Sequence, residues 1–249
     1  MQEEIKELAQ ILKDSENIVF FGGAGVSTES NIPDFRSSNG LWNERLKINF
    51  TPEQLVSHTF YMKYPDDFFA FYKDKLVYPD AKPNKAHLAL ARLEQMGKLK
   101  AVVTQNIDGL HQSAGSKIVY ELHGSVLRNY CEKCHAFYDE KYILASSGVP
   151  TCEKCGARVK PDVVLYEEGL DQSIINASVN AIAHADTLII GGTSLVVYPA
   201  AGLIQYFTGR KLVLINKSET NADRNADLVI HDSIGEVLSQ ALELIGEKI

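Results

Sequence analysis

Ile18-Val19-Phe20-Phe21 runs straight into Gly22-Gly23-Ala24-Gly25-Val26-Ser27-Thr28. Two β-branched and two aromatic residues in a row read as a strand buried on both faces, and the glycines read as a tight turn at its end. Glycine in that place lets backbone N–H groups approach a phosphate, and a helix starting there favours the anion. A purely structural turn reads the same way, so both stay open. Ser27 and Thr28 offer hydroxyls for a ligand or for a helix cap. An ordinary dinucleotide fingerprint also needs a third glycine and an acidic residue about 20 residues on, at the end of a second strand. Position 28 is Thr and the stretch 41–46 is not a strand end, so a dehydrogenase fingerprint is excluded.

Moving outward, similar short runs recur at Ala101-Val102-Val103-Thr104, Ile118-Val119-Tyr120, Val163-Val164-Leu165-Tyr166, Leu188-Ile189-Ile190, Leu212-Val213-Leu214-Ile215 and Leu228-Val229-Ile230. Helical patterns lie between most of them, at 86–96, 172–183 and 233–245, and Ile5, Leu8, Ile11 and Leu12 mark an amphipathic helix over 4–13. Apolar strands alternating with helices predict an α/β fold, a Rossmann-like, mostly parallel sheet with helices on both faces. Two stretches break the rhythm. Residues 36–80 hold Trp42, Phe60, Phe68 and Tyr72 among many aromatics and no clear strand, which reads as a helical insertion. Residues 128–160 hold all four cysteines and read as a small zinc-binding module. The sheet domain is then expected from 1–35, 81–127 and 161–249.

The 249 residues are 45% apolar and 23% charged, which excludes a disordered chain. A net charge of −7 argues against a general nucleic-acid binder, since phosphate neutralisation needs a basic surface. The N-terminus is charged throughout and lacks the apolar core of a secretory leader. Thr187 to Gly209 carries no charge and is long enough to span a bilayer, but Gly191-Gly192, Pro199 and Gln205 divide it into strand, loop and helix. A soluble, cytoplasmic protein without membrane contact is expected.

Cys131-x-x-Cys134 and Cys152-x-x-Cys155 are separated by 17 residues. That spacing points to one tetrahedral zinc held by four thiolates, which leaves no open position for catalysis. Two disulfides are the alternative, disfavoured in a reducing compartment, and a nucleic-acid-binding ribbon is the functional competitor. The module's six Lys/Arg against four Asp/Glu make it only mildly basic. His135 reads as a bystander.

Polar clusters sit at the predicted strand ends, where open α/β sheets bind ligands. Gln105-Asn106-Ile107-Asp108 gathers two carboxamides and a carboxylate, suited to a sugar or an amide, or to helix capping. His123-Gly124 is a general-base candidate, although a lone histidine is as readily structural. Ile32-Pro33-Asp34-Phe35-Arg36 reads as a loop that covers a ligand, or as a surface loop with an ion pair.

Taken in order, Gly23-Ala24-Gly25-x-Ser27, Ile32-Pro33-Asp34-Phe35-Arg36, Gln105-Asn106-Ile107-Asp108, His123-Gly124, the two cysteine pairs, Gly192-Thr193-Ser194-Leu195 and Asn216 resemble the sirtuins, NAD-dependent protein deacylases, in their bacterial form. The resemblance spans nearly the whole chain. It implies that Ala24, Thr28, Phe35 and Arg36 hold the pyrophosphate and nicotinamide ribose of NAD, and that Gln105 contacts a ribose. Asn106, Ile107 and Asp108 would form the nicotinamide pocket. Gly192, Thr193, Ser194, Asn216 and Ile234 would hold the adenosine end, and His123 would be the general base. Val164, Tyr166, Glu168 and Val197 would line the path of an acyl-lysine on a protein or peptide substrate. The implied products are nicotinamide, O-acyl-ADP-ribose and free lysine, from a monomeric enzyme with one structural zinc. A mono-ADP-ribosyltransferase and a non-catalytic zinc-module interaction protein are the alternatives. Glu167 departs from the family's glycine in the substrate groove, with its side chain expected to point to solvent. Desuccinylating members carry Tyr-x-x-Arg, whereas Tyr72-Lys73-Asp74-Lys75 ends in Lys, expected to point to solvent in a charged run.

Overall fold

Ile5, Leu8, Ile11 and Leu12 stack on one face of α1 (Gln2–Asp14), where they are buried. The computed structural model describes residues 2–35 and 50–249. After α1 come β1 (Ile18–Gly22), then α2 (Pro52–Leu55), α3 (His58–Lys63), α4 (Pro65–Lys75), α5 (Lys85–Gln95) and β2 (Leu99–Thr104). They are followed by α6 (Leu110–Ser113), β3 (Val119–Glu121), β4 (Gly124–Cys131), β5 (Phe137–Tyr138), α7 (Glu140–Ala145) and β6 (Val159–Val163). The chain closes with α8 (Gln172–His184), β7 (Thr187–Gly191), β8 (Lys211–Ile215), β9 (Leu228–Ile230) and α9 (Ile234–Leu244).

Six strands form one sheet in the order β3-β2-β1-β7-β8-β9, and every neighbouring pair is parallel. Alternate residues of β1 serve the two faces. Ile18 and Phe20 join a core with α1, α5 and α9, while Val19 and Phe21 join another with α8 and the 3-10 segment Ala200–Tyr206. The order reverses beside β1, whose neighbours are β2 on one side and β7 on the other. That is the switch point at which such sheets open a crevice. Among the described residues no helix is long and apolar enough to cross a membrane.

A second sheet, β5-β4-β6, is antiparallel. This corrects the reading of Val163 to Tyr166 as a strand of the large sheet. The strand is β6, and only Val163 belongs to it. Pro161 and the half-buried Lys160 and Asp162 disguise β6, and an edge position is where proline is tolerated in a sheet. Residues 52–75 are largely helical. Their aromatics do not form a separate core: Phe60, Tyr61, Phe68 and Tyr72 share one with Val126, Tyr138, Val159 and Val163. The glycine turn after β1 leads into two 3-10 turns, Ala24–Val26 and Thr28–Ser30, and not into an α-helix. Trp42 and Arg36 lie outside the described residues.

Candidate active site

The glycine turn of β1 and the Gly191-Gly192 turn of β7 meet at the switch point. The Gly25 N–H donates to the Gly192 carbonyl at 2.8 Å. A Cβ on Gly25 would lie 2.8 Å from the Gly192 Cα. Gly192 has φ +58, and a Cβ there would collide with the Val26 nitrogen. These glycines therefore serve backbone packing, and the turn leads into 3-10 turns. Ala24 and Thr28 are half-buried along it, and the Thr28 hydroxyl donates to the Gly25 carbonyl at 2.9 Å.

β2 delivers the amide cluster. Asn106 is buried, and its Nδ2 donates to Ser27 Oγ at 3.1 Å. Ser27 Oγ in turn donates to Asp108 Oδ2 at 2.7 Å. The other Asp108 oxygen accepts from the Leu110 N–H at 2.9 Å, so capping and network bonding use different oxygens of one carboxylate. Burial pushes the Asp108 carboxyl up from its ordinary value, opposed by these bonds. Ile107 packs against the core of the smaller sheet. Gln105 Nε2 donates to Thr193 Oγ1 at 3.1 Å, joining the ends of β2 and β7 across β1.

His123 follows β3, with Nδ1 3.0 Å from the Gln105 carbonyl oxygen. A carbonyl oxygen only accepts, so Nδ1 carries the proton and Nε2 keeps its lone pair. Burial holds this imidazole below the ordinary histidine value, partly offset by the same bond. Gly124, at φ +75, allows β4 to pair with β6 at this point, because a Cβ would strike the Asp162 carbonyl. The Val164 N–H then donates to the His123 carbonyl at 3.0 Å. Sequence reasoning did not register Ser27 as the centre of the amide network. Nor did it register Arg128, which bonds Glu121 at 2.7 Å and Asp162 at 2.8 Å and so clasps the two sheets beside His123.

Val164 is half-buried, Leu165 buried and Tyr166 exposed, so Val164 and Tyr166 share the outer face. Val197 is half-buried and Phe35 packs partly against the smaller core. Beyond the ends of β7 and β8 lies a cavity of about 750 Å³, whose lining includes Ser194, Val196, Thr220 and Arg224. Asn216 Nδ2 donates to the Ser218 carbonyl at 2.7 Å in the loop after β8. The Ile234 side chain is in the main core.

The Glu167 carboxylate is exposed but does not hang free in solvent. It folds back onto Thr59, accepting from its N–H at 2.9 Å and its hydroxyl at 2.7 Å. The charged run in α4 is likewise not all solvated: Lys73 Nζ docks on the Ser146 and Gly148 carbonyls at 2.7 and 3.0 Å.

The four cysteine sulfurs lie within 4.8 Å of one another. Cys131 to Cys155 is 3.4 Å and Cys134 to Cys152 is 3.5 Å, far beyond a disulfide bond. Zinc–thiolate bonds of about 2.3 Å in a tetrahedron put sulfurs about 3.8 Å apart, so the residues fit a structural zinc. The Lys133 and Cys134 N–H groups lie 3.4 Å from the Cys131 sulfur, which suits thiolates. His135 is outside this group. It holds φ +57 after the first pair, as Gly156 holds φ +72 after the second.

Residues 23–199 match the model of the Sir2 family. An NAD-dependent protein deacetylase of Clostridium perfringens is 70% identical over 98% of this chain and 100% of its own length. That of Clostridium acetobutylicum is 63% identical over 96% and 98%. A solved Sir2 enzyme structure superimposes with a TM-score of 0.89 at 41% identity, covering 99% of both chains. A Sir2 structure with p53 peptide and NAD⁺ gives 0.85 at 38% identity, covering 97% of this chain and 98% of that one.

Proposed function

Since the chain belongs to the Sir2 family, we propose that it is an NAD-dependent protein lysine deacylase releasing nicotinamide, O-acyl-ADP-ribose and free lysine. The observation that carries this reading is His123, whose Nδ1 is bonded to the Gln105 carbonyl so that Nε2 keeps its lone pair, set beside the Asn106–Ser27–Asp108 network at the switch point. NAD supplies the electrophilic C1′ of its nicotinamide ribose and the ribose hydroxyl that accepts the acyl group. His123 Nε2 takes the proton from that hydroxyl, while Nδ1 stays bonded to the Gln105 carbonyl and keeps the ring oriented. Asn106 and Asp108 recognise the nicotinamide carboxamide, with Ile107 as the apolar wall. Ala24, Thr28, Phe35 and Arg36 hold the pyrophosphate and its ribose, and Gln105 a ribose hydroxyl. Gly192, Thr193, Ser194, Asn216 and Ile234 form the adenosine end, beside the cavity past β7 and β8.

Val164, Tyr166, Glu168 and Val197 line the path of the acyl-lysine, and the groove beside Glu167 takes the peptide backbone by strand addition. Cys131, Cys134, Cys152 and Cys155 hold zinc, which supplies folding energy and no reaction step. We assign 1–35, 81–127 and 161–249 to the NAD-binding domain, 36–80 to the helical insertion and 128–160 to the zinc module. Unbridged cysteines suit a cytoplasmic location, and we assign a monomer that binds neither membrane nor nucleic acid. Mass spectrometry after incubation with NAD and an acetyl-lysine peptide tests the reading. Deacetylated peptide with an equal amount of O-acetyl-ADP-ribose is expected. ADP-ribose attached to protein, with the acetyl group retained, would overturn it.

A further inference from the structure

Glu167 sits at φ +75, in the left-handed region that glycine occupies freely and glutamate does not. A residue held there needs surrounding contacts that over-determine it. Its carboxylate provides them by accepting both the N–H and the hydroxyl of Thr59 in the first turn of α3. Ser57 accepts the Phe60 N–H in the same turn, so two of that helix's leading N–H groups are satisfied by side chains. The backbone beside it is tied in as well. The Tyr166 N–H donates to the Val56 carbonyl at 2.9 Å, and the His58 N–H donates to the Tyr166 carbonyl at 3.0 Å. Glu168 adds bonds to the Leu165 N–H and to Lys160 and His58. The 164–168 segment is therefore bound to the start of α3 on one side and, through Val164, to His123 on the other.

We infer that Glu167 is a positioning residue that locks the peptide-docking segment to α3, setting its shape before substrate arrives. The inference rests on the deacylase reading for the identity of the docking segment. A rigid segment loses less freedom when a peptide strand adds to it, so the lock favours peptide binding without touching the reacting atoms. Glycine at 167 keeps the backbone conformation and removes the carboxylate, and glutamine keeps an oxygen able to accept both bonds.

The test compares wild type, Glu167→Gly, Glu167→Gln and Thr59→Val in steady-state kinetics with an acetyl-lysine peptide, alongside amide hydrogen exchange of the peptide-free proteins. Two lost bonds correspond to a rise in peptide KM of roughly three- to tenfold for Glu167→Gly. The NAD KM and kcat are expected to hold within about twofold on the same reasoning. Glu167→Gln restores most of the affinity, and Thr59→Val gives an intermediate value. The Thr59 and Tyr166 amides exchange faster in Glu167→Gly. An unchanged peptide KM, unchanged exchange, or a parallel fall in kcat and NAD affinity overturns the lock. A wild-type protein inert toward the acetylated peptide sinks the deacylase reading instead, and exchange alone then upholds or overturns the lock.

Discussion

The proton on His123 Nδ1 is set by the Gln105 carbonyl 3.0 Å away, which leaves Nε2 as the basic atom. Burial lowers the pKa of this imidazole. In the proposed role of general base, His123 acts as neutral imidazole, so a lowered value would keep it functional further into acid. The acid limb of kcat/KM is expected below the ordinary histidine value of about 6.5, read from a pH–rate profile; a limb above it would contradict this environment. His123→Ala is expected to lose roughly 10²–10⁴-fold in turnover with an unchanged thermal midpoint, and near-full turnover would remove His123 from the mechanism. At this scale the sequence is informative about residue type and weak about partners. His123, Asn106 and Asp108 stand out as polar groups at strand ends. Ser27, 81 positions from Asp108, is an ordinary turn serine until the sheet brings β1 and β2 side by side.

The two cysteine pairs cap elements of the smaller sheet, with Cys131 at the end of β4 and Cys152 buried in the core shared with α3 and α4. Arg158 lies 4.1 Å over the Tyr61 ring and bonds Glu132, which also accepts from the Tyr61 hydroxyl. Zinc removal is therefore expected to loosen residues 52–77 as well as the module. Chelation or Cys131→Ala should cause joint loss of activity and of circular-dichroism helix signal; a chelated protein that stayed folded and active would refute the zinc assignment. On α4, Tyr72 is buried in an aromatic cluster, its hydroxyl without a partner among the described residues. Lys75 lies 3.5 Å from Asp74. A lysine offers one compact charge where an arginine offers two parallel donors to a carboxylate. Deacetylation is expected to exceed desuccinylation in kcat/KM on one peptide sequence, with succinyl activity rising in Lys75→Arg. Succinyl-lysine as the better substrate would reverse the assignment.

At the scale of the whole molecule, one source of acid sensitivity lies between α5 and α6, where His87 and His111 face each other with ring centroids 4.7 Å apart. His87 Nδ1 accepts the Asn84 N–H, while its Nε2 and both His111 nitrogens are buried without partners among the described residues. Burial pushes His87 down to about 4 and His111 well below its ordinary value. The folded pKa values are lowered, so the unfolded chain takes up protons first on acidification. The stability that depends on this pair is fully present above about 6.5 and is lost as pH falls towards 4, by an amount on the order of 3 kcal/mol from His87 alone. Urea midpoints at pH 7 and pH 4.5 should diverge more in wild type than in His87→Gln. Equal divergence would show that the pair is not the source.

Strand and helix types were legible wherever burial leaves a local pattern, either a short continuous apolar run or a helical stripe. β1, β2, β7, β8 and β9 are largely apolar on both faces because helices cover both sides of the parallel sheet, and α1, α5 and α9 present one apolar stripe because helix geometry puts a period of 3.6 on the residues that face a core. The zinc ligands were legible because their chemistry lies in residue type and spacing. β6 was not, since an edge strand of a small antiparallel sheet tolerates Pro161 and two charged residues. Three outcomes depended on contacts between segments far apart in the chain: the Gly25–Gly192 backbone contact, the Ser27 bridge and the fold-back of Glu167 onto Thr59, 108 positions away. Sequence determines which groups are available, but their partners are selected by sheet order and by three cores formed from distant segments, and only tertiary structure decides that pairing.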